Sequence, residues 1–162
     1  MAKDTDRNDD GRLDLTLKRT IDVPRALIWN VWTDPKHVMK WWAPAPWTTV
    51  DCEIDLRPGG IFRTVMRSPE GKDFPIAGCF LELIENEKLV WTDALGPGYR
   101  PALKPFFTAI FTLEEYAGKT NYAVRVLHKD EADKKKHEDM GFHFGWSKCL
   151  DQLVELVTRL KS

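Results

Sequence analysis

Residues 141–160 read GFHFGWSKCLDQLVELVTRL, and the fold turns on this stretch. Phe142, Trp146, Cys149, Leu150, Leu153, Val154, Val157 and Leu160 recur at three- and four-residue spacing, whereas Lys148, Asp151, Gln152, Glu155 and Arg159 fall on the other side. That period predicts one long amphipathic helix carrying a wide apolar stripe. Gly141 and Gly145 interrupt the pattern. Each costs up to about 1 kcal/mol relative to alanine, so a kink or a close approach to the neighbouring layer is expected there. Residues 130–139 (DEADKKKHED), just upstream, are polar, with Asp130 a candidate helix cap.

Most of the chain before this helix alternates with period two. Leu13, Leu15, Leu17 and Ile21 predict a first strand with one wet face. Pro24 suits a first helical turn, with Ile28, Val31 and Trp32 at helical spacing, and Asp34-Pro35 starts a second short helix ending near Trp41-Trp42. Val50, Cys52, Ile54 and Leu56 form a strand, and Pro58-Gly59-Gly60 a turn. Further strands follow at 61–67, 74–85, 88–93, 106–114 and 120–128, the last two joined by a glycine-containing hairpin over 115–119. Residues 94–105 (ALGPGYRPALKP) read as a loop. A single helix cannot cover a wide sheet, so the sheet must curl around it. The space between the two is where a ligand would sit.

Composition sets limits. The chain has 162 residues, enough for one domain: residues 1–12 read as a frayed arm and 13–162 as the folded unit. The formal net charge of −1 gives no footprint for nucleic acid. No run reaches the length of a membrane span, and residues 1–12 lack the apolar core of a signal peptide. Cys52, Cys79 and Cys149 are widely spaced, odd in number and set in apolar patterns, which points to buried thiols in a reducing, cytoplasmic setting. Seven Trp and eight Phe must fill a core or line a cavity.

Several segments, taken in order, are familiar: Arg19 with Pro24, Val31-Trp32-Thr33-Asp34-Pro35, Trp41-Trp42, Leu56-Arg57-Pro58-Gly59-Gly60, and Gly141, Gly145, Trp146, Leu150 and Leu153. Across residues 13–160 this resembles the bacterial homologues of the C-terminal domain of the heat-shock-protein-90 ATPase activator, within the START-like (SRPBCC) superfamily. The resemblance implies an α+β helix-grip fold. In that fold a curved antiparallel sheet of six to seven strands wraps a long C-terminal helix, two short helices follow strand 1, and the interior holds a hydrophobic cavity. It implies little about chemistry, because the superfamily includes lipid carriers, hormone receptors, polyketide cyclases and a co-chaperone.

On strand parity, Phe62, Met66, Phe107, Phe111, Leu113, Tyr122 and Val124 should face the helix and meet Phe142, Trp146 and Leu150, with Trp41, Trp42, Phe80 and Trp91 closing the mouth. The alternative is that these aromatics simply fill a core. Arg19 shares the parity of Leu15, Leu17 and Ile21, and a buried guanidinium needs an anion, either a structural carboxylate or an acidic ligand. His128 ends the last strand on the face of Tyr122, and together with Arg19 it is the candidate polar anchor for a carboxylate or enolate. No catalytic residue is assigned. No cofactor is expected.

Metal binding is not expected either. His137 and His143 lie six residues apart, diverging by about 240° on one helix. Residues 6–11 open like a calcium loop, but Leu17 occupies the twelfth place where a bidentate glutamate is required.

The leading expectation is a monomer or homodimer that binds a small apolar or aromatic ligand. A co-chaperone acting in the stress response through contacts with a heat-shock ATPase is the first rival, although the activators resembled carry an additional N-terminal domain not read here. The second is a cyclase- or hydrolase-type enzyme using Arg19, His128, Tyr122 or Glu82. Residues 94–105, with the unpartnered Tyr99, are expected to gate the cavity.

Overall fold

A computed structural model describes residues 12–161. Strand β1 (Asp14–Ile21) leads into helix α1 (Arg25–Thr33) and helix α2 (Pro35–Trp41). Pro24 is the residue that caps α1 rather than part of its first turn. Asp34 ends α1 and caps α2, its carboxylate accepting the Lys36 N–H at 3.0 Å with Pro35 at the first helical position. Strands β2 (Thr48–Ile54), β3 (Ile61–Arg67), β4 (Asp73–Ile84) and β5 (Lys88–Thr92) follow. Leu56, assigned to the second strand on parity, falls beyond it and is 44% exposed. The stretch over 94–105 is not structureless: β6 (Leu95–Gly96) pairs with β7 (Arg100–Pro101) around a single 3₁₀ turn.

Strands β8 (Phe107–Tyr116) and β9 (Lys119–His128) form a hairpin whose turn shortens to Ala117-Gly118, because Tyr116 and Lys119 already pair. Helix α3 (Glu131–Asp139) is capped by Asp130, which accepts the Asp133 N–H at 2.8 Å. Helix α4 (Phe142–Lys161) completes the chain. Gly141, at φ +92, separates α3 from α4, so the expected kink is a full break between two helices.

The seven long strands make one antiparallel sheet in the order β1-β9-β8-β5-β4-β3-β2. β1 and β2 are its opposite edges, so α1 and α2 carry the chain across its full width. α4 joins them on that face. Arg19 of β1 reaches Asp151, and Trp146 packs on Phe107 and Phe111 of β8. Bulges at 49–51 of β2 and 80–82 of β4 bend the strands there. The other face carries cross-strand ion pairs, including Arg63 with Asp51 at 2.6 Å and Lys88 with Glu82 at 3.0 Å. Alternation is clear along β9 and much of β8, whereas β5 is buried on both parities and gives parity nothing to read.

The buried cluster runs from Ile21, Ile28, Val31 and Val38 to Leu150, Leu153, Leu156 and Val157. Leu160 was expected within the helical stripe but is 43% exposed, and Leu156 is buried instead at 3%. Leu160 holds the angular position of Phe142 five turns earlier, but it lies in the last turn of α4, outside the buried cluster.

Candidate ligand-binding cavity

Between the sheet and the first half of α4 lies a cavity of about 390 Å³. Its helix wall is Phe142, Gly145, Trp146, Cys149 and Leu150; its sheet wall includes Leu17, Met66, Trp91, Phe107, Phe111 and Tyr122. Trp41, Trp42, Pro44 and Trp47 close one side, and His137, Met140 and Gly141 another. Met140, 67% exposed, and Ile76, 37% exposed, mark where the cavity meets solvent.

Two local features keep this space open. A side chain at Gly145 would meet nothing within 4 Å, so its bare backbone faces the void instead of approaching the sheet as expected. Trp146, which would otherwise have room to swing, lies stacked on Phe111 at 6.3 Å and edge-on to Phe107 at 5.8 Å. The side formed by 41–45 is latched to α4 through Gln152. Its amide NH₂ donates to the carbonyls of Ala43 at 2.8 Å and Trp41 at 3.1 Å, and its carbonyl accepts the Ala45 N–H at 2.9 Å. The Cys149 thiol donates to the Trp42 carbonyl at 3.0 Å.

Of the residues singled out on pattern, Trp41, Trp42, Met66, Trp91, Phe107, Phe111, Tyr122, Phe142 and Trp146 line this cavity. Phe62 and Phe80 do not. They pack against each other at 5.6 Å beneath Trp42 and Trp91, beside a void of about 20 Å³ that has room for one water. Phe80, Trp41 and Trp91 are also too buried, at 1%, 5% and 3% exposed, to form a mouth. Trp41 is pinned inward by the bond from its indole N–H to the Val31 carbonyl at 2.8 Å.

The polar candidates are placed differently. Arg19 points to α4 and meets the Asp151 carboxylate at 2.6 Å, outside the cavity wall. Asp151 sits on the flank of the helix that the pattern assigned to solvent, and the long guanidinium reaches it around the edge of β1. Glu82 faces the ion-paired side with Lys88. His128 is buried behind the wall. Its Nδ1 bonds the Leu13 carbonyl at 2.8 Å and its Nε2 bonds His137 Nδ1 at 2.9 Å.

His137 is the histidine that does reach the cavity, stacked on Phe107 at 5.2 Å. It was missed because its polar neighbours hide it; the only cue is Met140 three residues on, which shares its face of α3.

Three titratable side chains stand in the wall, and burial holds each neutral. It pushes the Tyr122 phenol up, aided by little else, and the Cys149 thiol up to about 12. Burial, then repulsion from His128, pushes His137 down to about 4. The cavity therefore presents an uncharged surface at neutral pH, unsuited to the carboxylate expected of an Arg19–His128 clamp.

Residues 94–105 contribute nothing to the wall. Tyr99 lies on Gly59, where an added Cβ would come within 2.8 Å of its ring, and the Gly98 N–H bonds the Gly59 carbonyl at 2.8 Å. This is a docked corner, not a lid over the cavity. The calcium-like motif lies outside the described residues. Among the described residues no cluster of three or more His, Cys, Asp or Glu side chains is placed to hold a metal, and no helix is long and apolar enough to cross a membrane.

Comparison with known proteins agrees with this architecture. The family model described as "Activator of Hsp90 ATPase homolog 1-like protein" matches residues 22–158. The chain belongs to that family. A crystal structure of a protein from Nitrosomonas europaea is 45% identical, covers 94% of this chain and 98% of its own, and superposes with a TM-score of 0.91. Two further members of the fold are more distant. A Mycobacterium smegmatis protein is 24% identical with 92% and 93% coverage and a TM-score of 0.77. An AHSA1-like protein from Aeromonas hydrophila is 18% identical with 92% and 94% coverage and a TM-score of 0.71. A search of curated proteins found no match. Membership of the activator-like family suggests ligand-binding or co-chaperone-type roles; within it, the helix-grip arrangement of a seven-stranded sheet around α4 is the feature that builds the cavity.

Proposed function

We propose that this activator-like protein binds a small, uncharged, largely apolar or aromatic ligand in the cavity beside α4. The observation that carries the reading is the cavity itself: about 390 Å³, walled mainly by aromatic side chains, with every titratable wall residue held neutral. That volume lies within the roughly 300–1,000 Å³ typical of small-molecule sites. Burying apolar ligand surface there gains about 25 cal/mol per Å² before the cost of immobilising the ligand. Binding without covalent chemistry is favoured because Arg19 and His128, the pair on which a reaction would have rested, are engaged by Asp151 and Leu13 outside the wall. The free thiols at Cys52, Cys79 and Cys149 fit a cytoplasmic setting.

Native mass spectrometry of protein purified from its own host tests this reading. A retained small molecule is expected, and Gly145→Leu, which fills the void, should lose it while circular dichroism stays unchanged. A ligand retained equally by Gly145→Leu would place binding elsewhere. Protein that carries no ligand and takes up no apolar probe would remove the reading.

Family membership supports a second reading, stimulation of a heat-shock ATPase through protein contacts. The exposed pair Met140 and Phe144, 67% and 77% exposed and four residues apart, is the surface such a contact would use. ATP turnover by an Hsp90-class chaperone, measured with and without this protein, decides it. Met140→Ser/Phe144→Ser should abolish any stimulation.

A further inference from the structure

The two buried histidines form a chain whose proton positions follow from one fixed acceptor. The Leu13 carbonyl can only accept, so His128 Nδ1, 2.8 Å away, carries the proton. In the neutral ring His128 Nε2 is then a bare lone pair. His137 Nδ1, 2.9 Å from it, must supply the hydrogen. A neutral His137 with its proton on Nδ1 has a bare Nε2. That nitrogen has no hydrogen-bond partner among the described residues, and it is not one of the sealed orphan atoms of the core. The ring itself is only 6% exposed, forms part of the cavity wall, and is held flat against Phe107 at 5.2 Å and edge-on to Phe142 at 5.1 Å.

Resting on the cavity-binding reading above, we propose that His137 Nε2 is the recognition point of the cavity, a hydrogen-bond acceptor that selects neutral aromatic or apolar molecules carrying one hydroxyl or N–H donor. His128 acts as a positioning residue. It receives the Nδ1 hydrogen and so prevents His137 from presenting a donor instead. The other polar groups of the wall, the Thr64 and Tyr122 hydroxyls, the Cys149 thiol and the tryptophan indoles, each carry a hydrogen of their own. His137 is the one that offers a lone pair and no proton. Burial, which disfavours protonation of the His137 ring, keeps that lone pair from being lost to a proton at neutral pH. A phenol, an alcohol or an indole satisfies it; an ether or a hydrocarbon of the same shape leaves it unpaired in a dry site, which costs affinity.

Calorimetric titration with 1-naphthol and 1-methoxynaphthalene separates the possibilities. The wild type should bind naphthol roughly three- to tenfold more tightly, the span expected for one neutral hydrogen bond. His137→Phe keeps the ring and removes the acceptor, and should bind both probes alike. Because that variant also strips His128 of its donor, the tautomers are read independently in the wild type from ¹⁵N shifts of the histidine rings. Both rings should be protonated on Nδ1, with the His137 Nε2 signal moving on addition of naphthol and not of the ether. Equal binding of the two probes by the wild type, a naphthol preference kept in His137→Phe, or a proton found on His137 Nε2 would each overturn the proposal while leaving cavity binding intact. Failure of the wild type to bind either probe would overturn cavity binding, and this inference with it.

Discussion

The two halves of helix α4 do opposite things. Beyond Leu150 its inward residues are shut: Leu156 is 3% exposed and Leu153 and Val157 0%, all within one cluster with α1, α2 and β1. Before Leu150 the same helix presents Gly145 to open space, and Trp146 is only partly buried. The same periodic stripe thus fills a core at one end and walls a cavity at the other. What differs is side-chain volume and what faces it. Branched aliphatic residues meet the short helices across the dry half. In the other half a glycine and a ring clamped by Phe107 and Phe111 leave the sheet uncovered. Hydrophobic pattern reports which face turns inward, and volume decides whether that face is filled.

The sharpest way to break this contrast is a pair of truncations. Leu153→Ala should cost roughly 2–5 kcal/mol in urea unfolding, as for other fully buried leucines. Trp146→Ala removes a larger side chain, yet it should cost less, because its wall is already hollow on one side. The reverse order would mean that the cavity end carries the stability. Next in size is Gly145→Ala. With nothing within 4 Å of the new Cβ, the gain in helix propensity should raise stability by up to about 1 kcal/mol. A loss would show that the space at Gly145 is filled.

The pH dependence sharpens the comparison further. The unfolded chain protonates His137 near 6.5, whereas the folded protein holds it neutral down to about 4. Between those values the unfolded state binds more protons, so stability should fall as pH drops through the window and level off below it. Urea midpoints followed across that range, in the wild type and in His137→Phe, check this: the variant should lose that part of the slope. The smallest effect is expected at Tyr99, which docks on Gly59 away from the cavity. Tyr99→Ala should leave probe on- and off-rates within about twofold, and a larger change would restore the lid that the structure removes.

The architecture was legible in the sequence because its signals are local and periodic. Alternation placed the strands, Asp34-Pro35 placed the boundary between two helices, and the stripe from Phe142 to Val157 placed α4. Parity also picked out most of the wall. It failed at Phe62 and Phe80, since parity assigns a face but not a depth, and the indoles of Trp42 and Trp91 lie above them. It misjudged Arg19 and Asp151 because an ion pair 132 residues apart leaves no trace in either local pattern. The loop over 94–105 looked like a lid on composition alone, which does not show what a tyrosine docks against. His137 stayed hidden for the opposite reason, as one cavity-lining ring inside a run of charges.

The central claim is that α4 closes over a real, apolar void at its first half and over none at its second. A crystal structure of the protein under xenon pressure tests it most directly, because xenon occupies dry apolar cavities and little else. The account predicts xenon bound between Gly145, Trp146, Phe107 and Tyr122, and none among Leu153, Leu156 and Val157. An empty first half with the Trp146 ring folded over Gly145, or xenon lodged among the leucines, would contradict it.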